Sequence, residues 1–234
     1  MRAGLRWLGV ALGFLVLVPL HVLAKLVGLR DLVPPLFLGS MGRIAGVRVR
    51  IEGSLRPRAL LIANHVSWLD VLALAGVSRA KFVAHSGLTV HGGLKWLCDQ
   101  NDTVFVTREK RGSVAAQVEQ VRRALGERPV AIFPEGTTND GTALLPFKSS
   151  LLSAVEPLAG EVPIQPVALD YRDAGEIAWH GAEPGLANVR RILARRRPVE
   201  LTIRFLEPLS GAALANRKTM TAAAQQAIAA ALRL

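Results

Sequence analysis

The stretch "LLIANHVSWLDVLALA", residues 60–75, decides the fold. It opens on an unbroken apolar run, as a strand buried on both faces reads. An apolar helical pattern follows over residues 67–76, so a strand passes into a helix through a short turn holding Asn64 and His65. Ser67 and Asp70 stand three apart at the helix start, in the outline of a capping box. A carboxylate is also favoured there by the partial positive charge of a helix N-terminus. Asp70 therefore has a structural reason to exist. His65 has none, because it precedes the cap, at the strand's end, where a side chain can point into a cleft. Across the turn Asp70 can accept from one ring nitrogen and leave the other as a base. Ser67 is the one nucleophile nearby, and as a cap its oxygen is expected to be engaged. A His–Asp pair without a nucleophile suits removal of a proton from a hydroxyl that arrives with the substrate.

Outward from this turn the same alternation repeats. Strands are expected at 47–52, 59–63, 80–85, 103–107, 129–133, 164–170 and 199–206. Helices are expected at 67–76, 92–100, 113–127, 148–159, 186–197 and 219–233. In "SVAAQVEQVRRALGE" (113–127), Val114, Val118, Val121 and Leu125 form one apolar stripe opposite the charges. The pattern predicts an α/β fold with a mixed central sheet flanked by helices. Sites in such folds gather at the carboxyl ends of the strands.

Three further stretches end strands. In "VAIFPEGTTNDGTALLPFK" (130–148), the chain turns sharply at Pro134, and Gly136 allows close backbone approach. The amides and hydroxyls around Thr137 and Thr138 can cradle an anion, although such a string also serves as an ordinary loop. "TVFVTREK" places Arg108 and Lys110 at the same sheet edge as His65, and arginine suits bidentate phosphate contact. "EVPIQPVALDY" carries Pro163 and Pro166 about a buried strand, where proline marks a start or an edge.

The 234 residues suffice for one core, and 29 Lys and Arg against 18 acids leave a formal charge of +11. Such a surplus draws anionic partners. Aromatics at 5% argue against nucleic acid, whose bases favour stacking platforms. The single cysteine, Cys98, excludes an intrachain disulfide and reads as a small apolar residue in a helix. From Trp7 to Ala24 there is no charge, while Arg2, Arg6, Lys25 and Arg30 flank the run. Pro19 is expected to kink or break this helix, and a second apolar piece follows at 32–42. The favoured reading is a bent anchor lying in one leaflet with its basic flanks at the head groups. A single spanning helix and a cleaved signal peptide are the alternatives. Residues 1–42 are thus expected to form a membrane-anchoring segment and residues 43–234 the α/β domain. The cluster "RRILARRRP" (190–198) fits a solvated helix face better than a docking site for anionic lipid.

Together these stretches resemble the membrane glycerolipid acyltransferases of the 1-acyl-sn-glycerol-3-phosphate acyltransferase type. "NHVSWLD", "VFVTR", "FPEGT" and "VPIQPVAL" are similar to the family's four blocks, in order, across roughly residues 35–210. The resemblance implies His65 as general base and Asp70 as its orienting partner. It implies an acceptor site drawing on Asn64, Arg108, Glu135, Gly136 and Thr137, with Lys148 of the Phe-Lys pair that follows the third block. Where the family often has a glycine after that pair, this chain has Ser149 and Ser150. It further implies acyl transfer from acyl-CoA or acyl-carrier protein to a lysophospholipid such as 1-acyl-sn-glycerol-3-phosphate. No metal or bound cofactor is implied, and the enzyme would sit on the cytoplasmic face of the cell membrane. "WHGAEPGLANVRRIL" (179–193) has the flavour of a branch that acylates lyso-ornithine lipid. A hydrolase using the same His–Asp pair to activate water is the remaining alternative.

Overall fold

The computed structural model describes residues 2–85, 92–106, 114–126 and 128–234. Two helices lead, α1 (Arg2–Leu26) and α2 (Val33–Ala45), followed by β1 (Val47–Gly53), β2 (Leu60–Ala63), α3 (Leu69–Ser78), β3 (Lys81–His85) and α4 (Gly92–Gln100). Then come β4 (Val104–Val106), α5 (Val114–Leu125), β5 (Val130–Ile132), β6 (Ile164–Tyr171), α6 (Ala174–Ile177), α7 (Gly185–Ala194), β7 (Val199–Phe205) and α8 (Arg217–Leu232). Among the described residues the strands form one sheet in the order β1-β7-β6-β2-β5-β3-β4. Pairing is parallel except between β6 and β7, so the sheet is mixed, as the sequence predicts.

The two-residue period of β2 explains why the strand reads as wholly apolar. Leu61 and Ala63 face a layer with α3 and α7, while Leu60 and Ile62 face the opposite layer with α5 and α8. All four side chains are fully buried, and the first residues past the strand's carboxyl end are Asn64 and His65. Flanking β2 are β5 and β6, so the turns that follow these three strands meet at one end of the sheet.

The structure departs from the sequence expectations in three places. Residues 148–159 form not a continuous helix but two short 3-10 turns, Ser149–Leu152 and Glu156–Leu158. Pro157 lacks the N–H that an α-helix would need there, so the chain tightens rather than extends. At Pro19 no break occurs, and α1 runs through it as one helix. Third, α3 starts two residues later than expected, at Leu69; Ser67 Oγ still accepts the Leu69 N–H at 3.4 Å, and the amides of Val66 and Ser67 bond to the Asp70 carboxylate.

Helices α1 and α2 are fastened along the body. Gly39 and Gly76 bring α2 against α3 so closely that a Cβ on Gly76 would lie 2.7 Å from the Gly39 Cα. Helix α2 runs unbroken through the expected boundary at residues 42–43 and turns into β1 at Gly46, in the left-handed region with φ 96°. Near the start of α1, Arg6 Nη1 donates to the carbonyls of Ile192, Leu193 and Arg195 at 3.1–3.3 Å, satisfying the open end of α7. At its other end Lys25 Nζ bonds Gln100 Oε1 at 2.7 Å. Beyond it, Asp31 pairs with the buried Arg128 at 2.8 Å. The outer face carries exposed Leu12, Leu15, Val16 and Leu23. By length and composition Ala3–Leu26 is apolar enough to cross a membrane.

Candidate active site

His65 and Asp70 meet across the turn between β2 and α3. Nδ1 of His65 lies 2.8 Å from Asp70 Oδ2. Asp70 is completely buried, yet its charge is well compensated: Oδ2 also accepts the amides of Val66 (2.7 Å) and Ser67 (2.9 Å). Its Oδ1 accepts the hydroxyl of Tyr171 at 2.5 Å. With Asp70 accepting at Oδ2, the tautomer that donates from His65 Nδ1 fits the contact and leaves Nε2 free. The imidazole is about a fifth exposed, at 19%. Its flat face stacks on Phe133 with ring centroids 4.2 Å apart and planes 16° from parallel. Phe133 in turn stacks near Phe82, at 6.0 Å. One edge of the ring is thus fixed by charge, one face by an aromatic plane, and the Nε2 edge has no hydrogen-bond partner among the described residues.

Glu135 lies beneath this arrangement, fully buried. Oε1 accepts the backbone N–H of His65 at 2.7 Å, while Oε2 accepts Asn139 Nδ2 at 2.6 Å and the Leu145 amide at 2.9 Å. Burial pushes its carboxyl pKa upward, against the three donors that pull it down. Its oxygens are spent on the protein, so it joins the turns after β2 and β5 from below. Asn64 is also buried, and its amide bridges the backbone of β6 at Leu169 O (3.0 Å) and Leu169 N (2.8 Å). Both residues are expected from the sequence to contact substrate; in the structure Glu135 ties the turn after β5 to His65, and Asn64 ties the end of β2 to β6.

Gly136 and Thr137 are exposed at the tip of the turn after β5, where Gly136 takes φ 70°. Lys148 is exposed as well, and its amide donates to Pro134 O at 2.8 Å, bringing it back to the same turn. Arg108 and Lys110 lie outside the described residues. His65, Asp70, Gly136, Thr137 and Lys148 are therefore brought to one end of the sheet, with Asn64 and Glu135 under them.

Several contributors were not singled out from the sequence. Tyr171 is the chain's only tyrosine and ends the β6 run "IQPVALDY", which was the available signal. Burial beside Asp70 raises its pKa well above the usual phenol range, so it remains a donor. Trp179 joins both turns: its N–H donates to Val66 O at 3.0 Å, and its carbonyl accepts the Thr138 hydroxyl. Trp68 Nε1 bonds the fully buried Asn188 of α7 at 2.9 Å. No local pattern marks such long-range pairs.

Comparison with known proteins bears on what this site does. Residues 46–170 match the family model described as Acyltransferase. A lyso-ornithine lipid O-acyltransferase of Brucella abortus is 30% identical over 211 residues, covering 82% of this chain and 79% of that protein. A 1-acyl-sn-glycerol-3-phosphate acyltransferase of Neisseria gonorrhoeae is 33% identical over 150 residues, 62% of this chain and 56% of that protein. The crystal structure of the 1-acyl-sn-glycerophosphate acyltransferase PlsC from Thermotoga maritima superposes with a TM-score of 0.71 at 19% identity. That match covers 99% of this chain and 93% of the other, and it shows a shared mixed α/β fold.

Proposed function

The chain belongs to the acyltransferase family, and from that premise we propose that it acylates the free hydroxyl of lyso-ornithine lipid, with His65 as base and Asp70 as the residue that orients it. The observation that carries the mechanism is the 2.8 Å contact of His65 Nδ1 with the fully buried Asp70. That contact leaves Nε2 facing outward with its lone pair. His65 takes the proton of the acceptor hydroxyl as its oxygen attacks the thioester carbonyl. The C–S bond then breaks, an ester forms, and the imidazolium returns the proton to the departing thiolate. General-base assistance of this kind is worth about 10²- to 10⁴-fold. Alignment of hydroxyl and thioester in one cleft supplies a comparable or larger share.

The acceptor assignment rests on the relative that aligns over 82% of the chain and carries that substrate in its name. Arg108, ending the "VFVTR" stretch, is proposed to pair with the acceptor's anionic group, beside the exposed Gly136, Thr137 and Lys148. 1-Acyl-sn-glycerol-3-phosphate is the second reading, favoured by the same arginine and by the Neisseria relative's name. The donor is acyl-CoA or acyl-carrier protein, both cytoplasmic thioesters, which sets the proposed location at the cytoplasmic face of the membrane. Because α1 is held to the body at both ends, an anchor lying along one leaflet suits it better than a span.

Purified protein in mixed micelles, given an acyl thioester and either lysolipid, tests the reading by mass spectrometry of the products. The expected product is the diacyl ornithine lipid. Phosphatidic acid alone would move the assignment to the second acceptor, and free fatty acid alone would reveal a hydrolase. His65→Ala and Asp70→Ala are each expected to lower turnover by at least about 10²-fold while the protein still sediments with membranes. Wild-type turnover in His65→Ala would sink the mechanism.

A further inference from the structure

The four donors around Asp70 come from two sources. The imidazole and the amides of Val66 and Ser67 belong to Asp70's own turn and all converge on Oδ2. Among the described residues, Oδ1 is held by the Tyr171 hydroxyl alone, which reaches in from the last residue of β6, 101 positions along the chain. The three donors on Oδ2 belong to the turn that carries Asp70 and move with it, whereas the Tyr171 hydroxyl ties the carboxylate to β6.

We propose that Tyr171 is a positioning residue for acyl transfer: its hydroxyl locks the Asp70 carboxylate and draws charge from it, and thereby sets how basic His65 Nε2 is. The proposal rests on the reading of His65 as the base. A carboxylate holds an imidazolium more firmly the more charge it retains, and each donor spreads some of that charge. Removing the Tyr171 donor should therefore make His65 easier to protonate, and strengthening it should do the opposite. Among the described residues, the titratable groups facing His65 are Asp70 from α3, Glu135 from the turn after β5 and, through Asp70, Tyr171 from β6. Asp70 is the charged group against the Tyr171 hydroxyl.

Because Tyr171 is the only tyrosine in the chain, biosynthetic replacement of tyrosine by difluorotyrosine alters this hydroxyl and no other. Its more acidic phenol is a stronger donor. In Tyr171→Phe, kcat is expected to fall by about tenfold to 10²-fold, as for a misaligned base. KM for the lysolipid should stay within about twofold, because binding is not what is lost. The limb of the pH–kcat profile on the acid side, where the base becomes protonated, should move to higher pH in Tyr171→Phe and to lower pH in the fluorinated protein. Opposite shifts support the proposal. Unmoved acid limbs overturn it, whether or not kcat falls, because a purely structural tyrosine would change activity without changing the base. Should Tyr171→Phe fail to fold, the fluorinated protein decides alone by the same criterion. An inactive His65→Ala alongside unmoved limbs removes only Tyr171's role, whereas an active His65→Ala removes the base itself.

Discussion

Asp70 and Glu135 are both fully buried carboxylates within reach of His65, and their surroundings give them opposite tasks. Asp70 holds the imidazole at its Nδ1 edge, while Glu135 holds the same residue by its backbone. The sequence points to both residues, and the family resemblance assigns Glu135 to the acceptor site. Its burial depends on Asn139 and Leu145 folding back over it, which no local pattern announces. Glu135→Gln should be destabilising by roughly 1–3 kcal/mol, the usual cost of an unsatisfied buried group. Whichever way the amide is turned, its NH₂ faces either the His65 N–H or the donors from Leu145 and Asn139. Denaturant midpoints check the stability loss, and kcat should fall with it. A group whose folded pKa is raised contributes most below its ordinary range and loses that contribution as pH rises through the raised value. Wild-type stability should therefore carry a downward slope with pH just above the glutamate range, and Glu135→Gln should lack it.

Element identity follows local pattern wherever burial and period agree. The seven expected strands match β1–β7, and the amphipathic stripe of 113–127 is α5 within a residue or two. The pattern misleads at 148–159, where apolar spacing suits a helix but Pro157 and the fold of the preceding loop enforce two tight turns. The seam between α2 and α3 was invisible for a different reason. Gly39 and Gly76 look like ordinary helical glycines until the two backbones meet. Gly76→Ala puts a methyl 2.7 Å from the Gly39 Cα, with backbone on the receiving side and no side chain to yield. It should destabilise by about 1–3 kcal/mol through overpacking, read as a lowered Tm in detergent. Gly175→Ala, where nothing lies within 4 Å of the added Cβ, is the matched control. Equal Tm values for the two variants would show that the helices separate without cost.

For the whole molecule, the apolar outer face of α1 and the +11 charge act together. On the proposed reading of α1 as an anchor, apolar side chains enter the acyl region while lysines and arginines meet anionic head groups, and only the second contribution weakens with salt. Leu12 and Leu15 are 49% and 71% exposed and point away from the body. Changing both to Glu should remove roughly 3–6 kcal/mol of membrane affinity, from two apolar side chains at about 1.5–3 kcal/mol each. The core, which they do not touch, should remain folded. Flotation with liposomes and circular dichroism measure the two outcomes separately. Unchanged flotation would show that α1's outer face does not contact lipid.

The sequence by itself determined the alternation of strands and helices, the apolar leading helix, and the pairing of His65 with Asp70, because each is a matter of neighbours within one turn or one period. Only the tertiary structure decided that Asn64 and Glu135 lie under the site, that Tyr171 closes the ring of donors around Asp70, and that α1 is fastened to the body at both ends. Those contacts join residues 70 to 189 positions apart. At such separations hydrogen-bonding partners are chosen by how the sheet orders its strands, and no local periodicity encodes that order.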